Sequence, residues 1–193
     1  MCSFVTQHNA TDISTHRELS LSEERTVTRG EMQPYPDHPD RFERPAQMLC
    51  TEGLTGRCYW EVEGNKYSTY IGVAYKGISR RGRHYDPLLG HNDKSWSLRC
   101  AEYQYIAWHN MRTVIPVPSV HSNKLGLYLD WSAGTLSFYS VSCSTLTHLH
   151  TFHTKFSQPV YPAFRVWANG ASVSLLEELV RCVSLLLADH RGN

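Results

Sequence analysis

The chain has no apolar run approaching the roughly 20 residues that a membrane-spanning helix needs. Its opening residues, Met1 to Asn9, carry neither a basic region nor an apolar stretch, so no secretory signal and a cytoplasmic, reducing setting are expected. No two of the six cysteines (Cys2, Cys50, Cys58, Cys100, Cys143, Cys182) have the close spacing of a zinc site or a redox dithiol. Neither sign of charge is in excess. With 19 Lys+Arg against 18 Asp+Glu the net charge is +1, which excludes the basic footprint of a general DNA binder and the acidic bias of a disordered chain. A Gly-x-Ser-x-Gly elbow, a phosphate-binding P-loop and a dinucleotide Gly-x-Gly-x-x-Gly are all missing. The expectation is a protein without catalytic residues, metal or cofactor, and without a DNA or membrane partner. The lone Asn9-Ala10-Thr11 sequon would matter only in a secreted chain.

What is present is length, aromatic surface and strand periodicity. At 193 residues the chain can form one domain that buries roughly 70% of its unfolded surface without a staple. Eleven Tyr and five Trp suit a β-rich or recognition protein. Cys58, Trp60 and Val62 alternate with Tyr59, Glu61 and Glu63, the pattern of a half-buried strand. Further strands are predicted at 70–75, 95–100, 104–108, 125–130, 135–141, 160–166 and 171–175. The turn Trp131-Ser132-Ala133-Gly134 between two of them reads as a hairpin, because Gly adopts positive φ at no steric cost. Short strands at this spacing, with no helix between them, predict an all-β antiparallel sandwich. The stretch Pro34 to Pro39 reads as loop, each Pro lacking an N–H. Only 175–188, with Leu176, Leu179, Val180, Val183, Leu186 and Leu187, has helical spacing and predicts a short C-terminal helix.

Three local features bear on chemistry. Glu61 and Glu63 share a strand face about 7 Å apart, a separation near that of paired glycosidase carboxylates; the competing reading is a solvated face. His148 and His150 would share a face and offer two imidazoles to Zn or Cu, with His153 opposite; exposed polar strand residues are the alternative. Lys76, Arg80, Arg81, Arg83, His84, His91 and Lys94 surround Gly77, Gly82 and Gly90, so Arg forks could hold an anion there. A solvated loop is the plainer reading of that cluster. Tyr75 and Tyr85 beside it leave stacking of single-stranded RNA open.

Taken in order, the motifs resemble a family. Arg57–Glu63 (RCYWEVE), Ile71–Tyr75 (IGVAY), Asp93–Leu98 (DKSWSL) and Leu129–Tyr139 (LDWSAGTLSFY) are similar to the successive motifs of SPRY (B30.2) domains. Thr15–Glu23 resembles the PRY segment that precedes them. Tyr35–Phe42 joins the two as in the fish branch, which ends tripartite-motif ligases, NLR-type receptors and stonustoxin-like toxins. The resemblance divides the chain into 1–13 (non-matching), 14–45 (PRY and linker), 46–176 (SPRY) and 177–193 (an atypical tail).

It implies a curved two-sheet sandwich with no catalysis of its own, which recognises a protein partner through loops at one end, in innate immunity. By motif position the pocket would be built from Tyr70, Arg99 and Ala101, with Trp167 and Asn169 as its far wall and Tyr35, Asp37 and Arg41 as a rim. A butyrophilin-like alternative is a basic phosphometabolite pocket drawing on Arg80, Arg81, Arg83, His84 and Arg99. The sequence departs from the family where Cys2 to Ile13 replaces the opening PRY strand, which predicts an unpaired edge. The dense Cys/His spacing of a RING or B-box is also lacking, so ligase activity is not expected to reside here.

Overall fold

A computed structural model describes residues 13–65, 69–82, 84–101, 104–116, 122–143, 145–176 and 181–182. Among these there is no helix, and the strands form two antiparallel sheets. The first carries eight strands: β1 (Leu19–Leu21), β2 (Thr26–Arg29), β4 (Arg57–Gly64), β9 (Lys124–Asp130), β10 (Thr135–Ser142), β11 (Thr145–His153), β13 (Ser172–Leu175) and β14 (Arg181–Cys182). Their order is β1-β2-β13-β4-β9-β10-β11, with β14 also pairing to β4. The second sheet has six strands in the order β3-β12-β5-β6-β7-β8. These are β3 (Gln47–Leu49), β5 (Thr69–Tyr75), β6 (Ser95–Ala101), β7 (Gln104–His109), β8 (Met111–Ile115) and β12 (Val160–Val166). The two sheets make the sandwich that the alternating pattern predicts.

The core lies between the sheets and is built by the period of two. From the first sheet Trp60, Leu127, Leu136 and Phe138 point inward, each with no exposed surface. Facing them is a cross-strand row of the second sheet, Met48, Phe164, Ile71, Leu98 and Ala107, every member buried. Trp96 is 2% exposed, packs edge-on against Tyr75 and Phe156, and lies stacked on His109 at 4.7 Å. Burying each of these large side chains contributes about 1.5–3 kcal/mol.

The β9–β10 hairpin forms at the predicted turn. Gly134 has φ +69°, the Ala133 N–H donates to Asp130 Oδ1 at 2.9 Å, and the Thr154 N–H donates to the Gly134 carbonyl at 2.8 Å. Among the described residues β1 pairs only with β2; residues 1–12, on which the expected unpaired edge rests, lie outside those described.

Two expectations change. Over 175–188 the helical spacing is overridden where the chain is described, since Leu175 ends β13 and Arg181–Cys182 forms β14 against Tyr59 and Cys58 of β4. Backbone groups along β4 beyond the end of β13 offer the tail a partner, and pairing outweighs propensity there; 177–180 and 183–193 lie outside the described residues. The two histidines do not share a face. A β-bulge sets His150 opposite Phe138 but His148 opposite Tyr139, neighbours whose side chains alternate across the sheet. His148 Nε2 accordingly bonds Thr151 Oγ1 at 2.8 Å, while the His150 ring packs on Phe152 at 4.5 Å.

Candidate binding site

The outer face of the six-stranded sheet is where the notable polar and aromatic groups gather. Register places Gln47, Arg165, Tyr70, Arg99, Ile106 and Val114 in one row across β3, β12, β5, β6, β7 and β8. The inward row one residue away is apolar, so the pleat alone puts two arginines and a tyrosine on the outside. Part of this face is roofed by the segment between β5 and β6 and by the linker before β3. Phe42, Leu49, Ile78, Leu89 and Ala163 make a second small core there with Tyr70 and Ala74, flanked by Trp108 and Tyr161.

At the end of β12 the uncovered part is framed by rings. The Arg165 guanidinium lies over two rings, 4.6 Å from the Tyr70 centroid and 5.0 Å from that of Trp167. Arg99, directly across from Tyr70, has its guanidinium 5.8 Å from the same ring. On the other side His91 stacks between Trp108 (4.0 Å) and Tyr85 (5.7 Å) and lies 5.9 Å from Tyr70.

Exposure divides these groups into floor and wall. Tyr70 and Arg165 are 7% and 5% exposed, whereas Trp167 is 59% exposed and is the most solvent-facing ring of the group after Tyr85. Burial lowers the Arg165 pKa; Tyr70 opposes the shift, and the charges of Arg99 and Arg29 reinforce it. Burial also lowers the pKa of His91, against a backbone bond to Leu89 and with help from Arg165 and Arg99. His91 is therefore neutral at pH 7 and the charge of the site comes from arginine.

The Trp167 loop is clipped from below. Arg29 of β2 pairs with Glu18 Oε2 through Nε at 3.0 Å and Nη2 at 2.7 Å, and its Nη1 donates to the Trp167 carbonyl. The Gly170 N–H donates to the Arg29 carbonyl at 2.8 Å. The N-terminal segment thus fixes the loop that carries the exposed tryptophan.

The structure brings together some of the residues picked from the sequence and separates others. Tyr70, Arg99 and Trp167 converge; Ala101 follows on the same side of β6, and Asn169 is exposed in the clipped loop. Tyr35 and Arg41 bond within the N-terminal segment instead, while Asp37 stays exposed. Arg41 is 5% exposed, stacks over Tyr35 at 5.1 Å and donates from Nε to the Pro36 carbonyl at 3.0 Å. Tyr35 donates to the Leu19 carbonyl at 3.1 Å, and Asp37 pairs with Arg17 at 2.7 Å. Asp37 and Arg41 line a separate cavity of about 420 Å³ with His16, Arg17, Glu18 and Arg29.

In the basic loop Arg80 lies over Phe42 at 4.4 Å and donates to the carbonyls of Ile78 and Lys76, each at 3.2 Å. Its guanidinium therefore braces the loop that roofs the sheet. Arg81 and His84 are exposed, and Arg83 falls outside the described residues. Glu61 accepts the Tyr59 hydroxyl at 2.8 Å on the outer face of the first sheet. Sequence reasoning missed Arg165 and the His91–Trp108 stack. Arg165 sits two residues before Trp167, so period-two alternation was available as a signal; that it lies opposite Tyr70 is a matter of register, which the sequence does not print.

A two-sheet antiparallel sandwich with an aromatic and arginine cluster on one outer face defines a recognition scaffold. Residues 57–177 match the SPRY domain family and residues 13–54 the SPRY-associated domain, PRY; the chain belongs to the SPRY family. It is 46% identical to stonustoxin subunit beta of Synanceia horrida over 158 residues, 79% of this chain and 22% of that protein. It is 35% identical to tripartite motif-containing protein 14 of Mus musculus over 168 residues, 83% of this chain and 38% of that one. The chain thus spans about a fifth of the toxin subunits, which are among its similar relatives.

Among solved structures the stonustoxin structure superposes with TM-score 0.77 at 43% identity, covering 86% of this chain and 26% of that one. A crystal structure of the TRIM65 PSpry domain superposes with TM-score 0.76 at 29% identity, covering 87% of this chain and 89% of that one. SPRY domains are in general non-catalytic modules that bind protein partners.

Proposed function

We propose that this chain is a cytoplasmic, non-enzymatic recognition module that binds a protein partner on the outer face of the six-stranded sheet, in an innate-immune role. The observation that carries this reading is the convergence of Tyr70, Arg99, Arg165 and Trp167 on one face, with Trp167 59% exposed. Tyr, Trp and Arg are the residue types that dominate binding energy, about 2 kcal/mol or more each when desolvated against a partner. The scaffold supports this use, because the ring positions are set by strand register and by the Arg29 clip rather than by free loops. The family resemblance to NLR-type receptors and the tripartite-motif relatives favour the immune part of the reading.

The test is to replace Tyr70, Arg99 and Trp167 singly by Ala and measure affinity for a partner identified by pull-down with the wild-type chain. Losses of roughly thirty-fold at Trp167 are expected. Full affinity in all three, with the fold intact by circular dichroism, would move the site elsewhere. Phosphometabolite sensing is the second reading, and the paired cations Arg99 and Arg165 favour it; it loses Arg80, which braces the loop on Phe42. Calorimetry with pyrophosphate decides between the two.

A further inference from the structure

Arg165 is in an unusual state for a cation. It is 5% exposed, its Nη1 has no acceptor, and among the described residues no carboxylate lies within ion-pair distance of it. Its guanidinium lies over two rings, Tyr70 and Trp167, which hold the group without neutralising it. Among the described residues the charged groups that act on it, Arg99 and Arg29, are of like sign. A buried guanidinium stays charged, and its desolvation is unfavourable until an opposite charge arrives.

We propose that this site takes a peptide segment of the partner bearing an Asp or Glu side chain, whose carboxylate accepts hydrogen bonds from Arg165, with Arg99 beside it, while apolar flanking residues pack on Trp167. The inference rests on the docking reading above and adds the chemistry of the ligand. A carboxylate matches the guanidinium fork, and a buried cation with no carboxylate partner among the described residues is a specificity device against neutral segments. The walls favour a peptide over a bare anion: Trp167 and Trp108 offer ring surface to side chains, and His91 is neutral and adds no charge. Trp167, held by the Arg29 clip, is the exposed wall on which the flanking residues pack.

The experiment selects a random peptide library on the whole chain at physiological salt, then measures synthetic copies of the winners against wild type, R165Q, R165K, R99Q and W167A. Selected peptides should share an acidic position. Changing that residue to its amide should weaken binding to wild type about thirty-fold, and should have little further effect on R165Q. R165K should fall between the two, because a point charge lacks the planar fork.

Winners that need Trp167 yet tolerate the amide would overturn the carboxylate and leave the docking reading standing. Winners indifferent to W167A, or no winners at all, would sink the docking reading and the inference with it. Should R165Q fail to fold, the same cycle run with R99Q reads the coupling. Pyrophosphate that binds wild type but not R165Q and that no peptide displaces would assign the site to a small anion and overturn the peptide.

Discussion

Gly72 in the middle of β5 offers a sharp test of how the sheet sets the site. A Cβ built there would lie 1.9 Å from the Trp96 carbonyl oxygen and 2.7 Å from Ser97 Cα of the adjoining strand β6. Carbon and oxygen approach to about 3.3 Å, so Gly72→Ala forces the two strands apart by roughly 1.4 Å or twists one against the other. Either movement disturbs the ladder at Gly72↔Ser97, between two strands whose inner residues are fully buried. Overpacking costs about 1–3 kcal/mol and each buried backbone group left unsatisfied a further 1–3.

The expected loss is therefore about 3–5 kcal/mol, a large share of the 5–15 kcal/mol that holds a typical domain. For a chain of this size that lowers Tm by about 6–20 °C. Differential scanning calorimetry and urea denaturation read it directly. Gly30 and Gly77, with nothing within 4 Å of a built Cβ, are the controls, and their alanine variants should stay within about 0.5 kcal/mol of wild type. A Gly72→Ala variant that loses less than about 2 °C with an unchanged m-value would refute the account of why this strand pair needs glycine.

Further outcomes follow from the same packing. His16, His91 and His150 all have pKa values held below the ordinary 6.5 by burial. The unfolded chain therefore binds more protons than the folded one at mildly acid pH, and stability is full above about pH 6.5 and falls as pH drops through that window. Tm at about pH 5.5 should lie below that at pH 7.5, and His16→Gln should shrink the difference; a Tm that rises on acidification contradicts the burial reading.

Arg29→Gln removes the Glu18 pair and the bond to the Trp167 carbonyl, so about 1–2 kcal/mol of stability should go, with faster amide exchange at Gly170 and Ala171. Unchanged exchange there would mean the loop is held by other contacts. Among the described cysteines, Cys50 and Cys58 are buried and burial pushes Cys100 up to about 12, while Cys143 is exposed at the β10–β11 turn. Titration with a thiol reagent should lose one fast-reacting equivalent in Cys143→Ser and none in Cys100→Ser.

Much of the architecture was legible because a strand writes its two faces into alternate residues. Trp60, Trp96 and Phe138 were identifiable as core from that period, and all three are at most 2% exposed. Gly134 announced its turn through the one conformational property that sets glycine apart. Strands β2 and β8 were not legible, since Thr26–Arg29 and Met111–Ile115 are short and mostly polar or exposed and owe their extended form to a neighbouring strand. The bulge in β11 was equally silent, yet it decides which way His148 and His150 face.

At the candidate site the family resemblance led to Tyr70, Arg99 and Trp167, but the role of each depends on three dimensions. Tyr70 is floor and Trp167 is wall, and Arg41, expected at a rim, is an internal brace.

By itself the sequence determined a neutral, antiparallel all-β domain without the familiar catalytic or phosphate-binding motifs, because hydrophobic alternation, turn chemistry and motif spacing are local properties of the chain. Only the tertiary structure decided that Arg165, Tyr70 and Arg99, separated by as many as 95 residues, lie side by side in one row. Strand order and register fix that row, and both come from closing the two sheets over a shared core, a global condition that no local stretch of sequence can express.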